Sequence, residues 1–115
     1  MIEITKELFG YPITVTAIPA GLDWNVVVLG GCTPHAGSVS LAEYCNGTAA
    51  LRTLLRETHK DQIVGDRFAR VLAEQCKCTV CVSCGIHYDN VSQQQLQQIV
   101  AATEELLIAL CEQIN

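Results

Sequence analysis

Closely spaced turn residues cut the first half of the chain into short β-prone pieces, and this restricts the fold class more than any other feature. Gly10, Pro19-Ala20-Gly21, Gly30-Gly31 and Asn46-Gly47 separate segments rich in Val, Ile and Thr, which is how successive strands are punctuated. Residues 2–9 alternate loosely and residues 11–18 are β-branched, so the two read as a hairpin. Residues 23–29 contain the run Val26-Val27-Val28-Leu29, the pattern of a central strand covered on both faces. Residues 37–43 alternate again, with Val39 and Leu41 on one side and Ser38 and Ser40 on the other. Residues 48–57 fit two readings. Leu51, Leu54 and Leu55 have helical spacing, whereas Leu51, Thr53 and Leu55 opposite Arg52, Leu54 and Arg56 make a strand. Propensity leans towards helix. As a strand, the segment would be joined to its predecessor through a primed turn at Asn46-Gly47.

The second half changes period. Thr58 with Asp61 resembles a capping box, followed by a helix whose apolar stripe is Val64, Phe68, Val71 and Leu72, with Asp61, Arg67, Arg70 and Glu74 turned outward. Residues 78–86 are β-branched and thiol-rich, hence another strand. Ser92 with Gln95 forms a second capping pair and opens a helix with the stripe Leu96, Ile99, Val100, Thr103, Leu107, Leu110 and Ile114. The expected fold class is α/β (α+β): a mostly antiparallel sheet with two helices on one face. At 115 residues a single domain over 1–115 is expected.

Hydrophobic residues make up 50% of the chain and charged ones 17%, an apolar excess for so small a domain that favours a homodimer or a docking partner. The net charge of -5, with only seven Lys and Arg, argues against nucleic acid. No secretory signal and no stretch long enough for a membrane span is visible, so the expected location is cytoplasmic and the seven cysteines are expected to remain thiols. Cys78, Cys81 and Cys84 are spaced like metal ligands, but no Gly or Pro between them makes the tight turn that such pairs need, and on a strand Cys78 and Cys81 face opposite ways. Small buried thiols are the simpler account. Cys32, close to His35 in a Gly-rich loop, is the candidate reactive thiol.

All three histidines fall at the ends of regular elements: His35 in GGCTPHAGS, His59 in THKD and His87 in GIHYDN. Groups at strand ends and helix starts are those an α/β scaffold can gather in a crevice. Gly30 and Gly31 would let backbone N–H groups approach an anion, Pro34 stiffens the path to His35, and Gly37 opens the backbone before the next strand. His59 and Lys60 at a helix start suit a phosphate or carboxylate. Asp89 would orient the imidazole of His87, and Asn90 would meet a ligand edge. Three histidines also have the ligand types for Zn²⁺ or Fe²⁺, but none of the spacings is a local metal motif, and no residue is assigned to metal.

These same segments, GGCTPHAGSVSLAEY from Gly30, THKDQIVGDRFARVLAEQ from Thr58 and GIHYDNVSQQQLQQIV from Gly85, resemble the small D subunit encoded with bacterial phenolic-acid decarboxylases of the gallate type, a prenylated-flavin chaperone-like family. Ala36 departs from an Ile usual in the first segment, and Thr58 from a Gly usual in the second. The resemblance implies a fold like that of proteasome assembly chaperones, about six strands with two helices and usually dimeric, and it makes 48–57 a strand. It further implies a non-catalytic accessory role towards a decarboxylase that uses prenylated flavin mononucleotide (FMN). Prenylated FMN, or FMN, would be the cofactor and the decarboxylase the partner. On this reading Gly30, Gly31, His59 and Lys60 would hold phosphate and His35, His87, Asp89 and Asn90 would meet the ring system or the partner, with Pro34 and Gly37 also counted as cofactor-binding. A small metal-dependent enzyme using His35, His59 and His87, or a purely protein-binding assembly chaperone, are the alternatives.

Overall fold

The computed structural model describes residues 1–56 and 61–114. In chain order its elements are β1 (Ile2–Leu8), β2 (Tyr11–Ala20), β3 (Asp23–Gly31), β4 (Ser38–Cys45), β5 (Thr48–Leu55), α1 (Gln62–Cys76), β6 (Thr79–His87) and α2 (Gln93–Gln113). The six strands form one sheet in the order β1-β2-β3-β6-β4-β5. Neighbours are antiparallel except β3 and β6, which run parallel. β6 is therefore inserted between two strands consecutive in sequence, and the β3–β4 loop must cross its C-terminal end. That crossing puts two of the histidine segments side by side.

The register explains which face is buried. One row across the sheet reads Ile4, Val15, Val28, Cys84 and Ser38, and the next reads Ile2, Ala17, Val26, Val82, Ser40 and Thr53. Val15, Val28, Cys84, Ala17, Val26 and Val82 are fully or almost fully buried under the helices. α1 lies over β4, β5 and β6, and α2 over β1. α1 comes close because the residues beneath it are small. A Cβ on Gly65 would be 3.1 Å from both Ser38 Oγ and Ser40 Oγ, and Asp66 accepts hydrogen bonds from Ser40 at 2.7 Å and Thr53 at 2.6 Å. The Arg67–Glu104 pair at 2.7 Å joins the helices and Lys6–Glu105 at 2.8 Å ties β1 to α2.

Residues 48–55 are a strand, as the resemblance implied and against helical propensity, because Asn46 (φ 53) and Gly47 (φ 88) make the primed turn that returns the chain antiparallel to β4. Other expectations from sequence are corrected. The fully buried face of α1 is Gly65, Phe68, Ala69, Leu72 and Ala73, with Val64 and Val71 only partly buried against the core. Asp61 is buried and not outward, and its side chain makes no cap bond; Thr58, the other half of the proposed capping box, lies outside the described residues. The Ser92–Gln95 capping box is present, but Leu96 and Val100 are exposed, and Ala102 and Leu106 are buried along with the rest of the expected stripe. β3 is covered on one face only, with Val27 and Leu29 half-buried on the other. Among the described residues no helix is long and apolar enough to cross a membrane.

Candidate functional site

The β3–β4 loop is held against the end of β6 by backbone bonds, Thr33 N–H to His87 O at 3.3 Å and Gly37 N–H to Cys84 O at 3.0 Å. Three glycines make this approach possible. A Cβ on Gly85 would collide with the carbonyl of His35, one on Gly31 (φ 88) with the carbonyl of His87, and one on Gly37 with the Asp61 carboxylate. Only hydrogen atoms fit at these points.

Asp61 joins the third histidine segment to the other two. Its Oδ1 accepts the Ile86 N–H at 2.9 Å, taking up a sheet donor at the end of β6 beyond the last pairing with β4. Its Oδ2 lies 2.9 Å from His35 Nε2, and the His35 and Asp61 side chains are only 14% and 7% exposed. His35 Nδ1 is 3.0 Å from the Thr33 carbonyl oxygen. Both partners are acceptors, so His35 can only serve as a donor at either contact. A carboxylate in a partly apolar setting is retained because two donors meet it. Cys84 lies beneath, its thiol pushed up to about 12 by burial, with the neighbouring Asp61 charge adding to the effect.

Beside the pair a groove of about 520 Å³ runs between the N-terminal turns of α1 and α2, with the end of β6 as its floor. Its lining is His35, Asp61, Ile63, Val64, Ile86, His87, Tyr88, Val91, Leu96, Ile99 and Val100, a volume and composition in the range of small-molecule sites. His87 Nε2 stands 2.9 Å from Asp89 Oδ1 at the exposed rim, as the sequence suggested. Tyr88 donates to the Tyr11 carbonyl at 2.8 Å and is met edge-on by Phe9, with ring centres 5.8 Å apart. Burial raises its hydroxyl pKa, with Cys32 and Glu7 contributing.

Of the residues singled out from sequence, His35 and His87 line this groove. Gly37 packs under Asp61, and Asn90 (φ 53) makes the turn after β6. Gly30 and Gly31 are buried at the end of β3, where a Cβ would meet Ile13 and His87 respectively, so their tight packing, and not an open anion loop, accounts for them. Pro34 is exposed and Cys32 is half-buried against the core. His59 and Lys60 lie outside the described residues. No group of three potential metal ligands occurs among the described residues. The sequence reading missed the inward role of Asp61 and the aliphatic wall. A signal for the wall was present in Leu96 and Val100, which extend the α2 stripe beyond what the sheet can cover.

Residues 7–115 match the family described as the prenylated flavin chaperone LpdD-like domain. The chain belongs to this family. It is 26% identical over 108 residues to Protein LpdD of Lactiplantibacillus plantarum strain WCFS1, covering 92% of this chain and 79% of that protein. In fold it is similar to a chain in the crystal structure of a chaperone complex for yeast 20S proteasome assembly, with a TM-score of 0.64 over 99% of this chain and 96% of the other at 12% identity. In this LpdD-like domain, the segments that carried the resemblance are the ones that meet around Asp61.

Proposed function

We propose that this LpdD-like protein is an accessory chaperone of a prenylated-flavin-dependent decarboxylase and that it binds the prenylated FMN destined for that enzyme. The observation that carries the proposal is the groove, where polar groups at one end adjoin an aliphatic wall in a chain of the prenylated flavin chaperone family. Its chemistry suits a flavin. The N–H of the ring's pyrimidine edge can donate to the Asp61 carboxylate, whose oxygens each have a further lone pair, while the benzenoid edge and its prenyl-derived extension suit Ile63, Leu96 and Val100. His59 and Lys60 stay as phosphate candidates on sequence grounds. The chaperone itself supplies no reacting group on this reading, because both nitrogens of His35 face acceptors that position the loop.

Titration of the purified chain with FMN and with prenylated FMN, followed by flavin fluorescence, tests the proposal. Saturable binding is expected, weakened by His35→Ala. Apo-decarboxylase mixed with the loaded chaperone should gain activity faster than with free cofactor. Absence of binding to either flavin would remove the cofactor from the proposal and leave a chaperone that acts through protein contacts.

A further inference from the structure

The described lining of the groove contains no Lys or Arg, and its buried charged side chain is a carboxylate, Asp61. The Ile86 N–H at the floor is already taken by that carboxylate, and both ring nitrogens of His35 point at oxygen acceptors. A phosphate entering here would lose its hydration and find these donors committed. The exposed aliphatic side chains of Ile63, Leu96 and Val100 offer it nothing either. An uncharged ring meets none of these penalties.

From this we infer that the groove takes the flavin by its uncharged ring system and keeps the phosphate outside, so that the cofactor is presented phosphate end outward to whatever receives it. The inference rests on the flavin reading above and adds a direction of binding to it. A receiving enzyme can then engage the phosphate before the ring leaves the groove. Recognition by the groove is of the ring and its substituents.

The test uses riboflavin, which has the FMN ring without the phosphate. Both are titrated into the full chain carrying Val100→Asp or Leu96→Asp, exposed groove positions, and into Ile108→Asp, an exposed position of α2 outside the groove. Circular dichroism confirms that each variant is folded. Each groove variant is expected to weaken riboflavin and FMN by the same factor, to within about threefold, and Ile108→Asp neither. A loss for FMN about tenfold or more greater than for riboflavin would place the phosphate beside the new carboxylate and overturn the inference. Unchanged affinity for both would place the ring elsewhere and also overturn it. Failure of the wild-type chain to bind either flavin would instead sink the flavin reading itself, and the inference with it.

Discussion

Asp61 shows at the scale of one residue how a site is assembled from segments far apart in sequence. Its carboxylate satisfies a strand N–H at Ile86 and fixes the His35 ring, so Asp61→Ala leaves a buried donor without its acceptor. The expected cost is about 2–3 kcal/mol, read from urea denaturation, with Asp61→Asn losing less because its amide oxygen can still accept from Ile86. Equal stability of the Ala variant would mean that the bonds do not form in solution. Cys84 gives a pH signature. Its thiol is held up to about 12 against an ordinary 9.0, so the unfolded chain ionises first. The stability linked to it is fully present below about pH 9 and is lost as pH rises towards 12. Urea midpoints followed through that window should fall, and fall less in Cys84→Ala. The histidines were visible in the sequence because Gly and Pro mark their loops. The inward turn of Asp61 was not, since an acid at a helix start reads equally as a solvated cap, and only the crossing of β6 by the 32–37 loop brings His35 to it.

Element by element, legibility followed local chemistry. Ser92 and Gln95 bond reciprocally, Gln95 N–H to Ser92 Oγ at 3.1 Å and Ser92 N–H to Gln95 Oε1 at 2.9 Å, and the sequence pattern alone located the start of α2. Ser92→Ala should cost about 1 kcal/mol, measured by thermal or urea unfolding, and should loosen the groove wall formed by Leu96 and Val100. The strand β5 was legible only through its turn. Ala49, Ala50, Leu51 and Leu54 favour helix in isolation, yet Asn46 and Gly47 at positive φ commit the next residues to pairing with β4. Gly47→Ala, at φ 88, is expected to destabilise by about 1–2 kcal/mol, with protection of β4 and β5 amides falling first in hydrogen exchange. A loss spread evenly over the sheet would contradict a turn-specific effect. The parallel pairing of β3 with β6 has no local signal at all, because it depends on a long connection through β4, β5 and α1.

For the molecule as a whole, the run Val26-Val27-Val28-Leu29 indicated a strand covered on both faces, and a single chain covers one. Val26 and Val28 are sealed by the helices. On the opposite face, the row Thr16, Val27, Ser83, Val39 and Leu54 crosses the sheet, with Leu54 77% exposed and Val39 42%, and Leu29, Cys81 and Leu41 beside it are only half-buried. A sheet face that carries this many half-buried and exposed aliphatic side chains among small polar ones is costly to leave in water. A second copy would cover it with the same surface, and closed two-fold pairing is the commonest form of such an assembly. Sheets packed face to face bury alternating side chains of this type about 10 Å apart. The purified protein is therefore expected to scatter light as about twice the 12.5 kDa chain mass. Val39→Asp with Leu54→Asp should return it to a monomer, since two such copies would place buried carboxylates against an apolar surface. Flavin binding should survive in that variant, because neither residue lines the groove. A wild-type monomer would mean that this face is kept for the decarboxylase, and the same two substitutions should then abolish activation of the enzyme while leaving the mass unchanged.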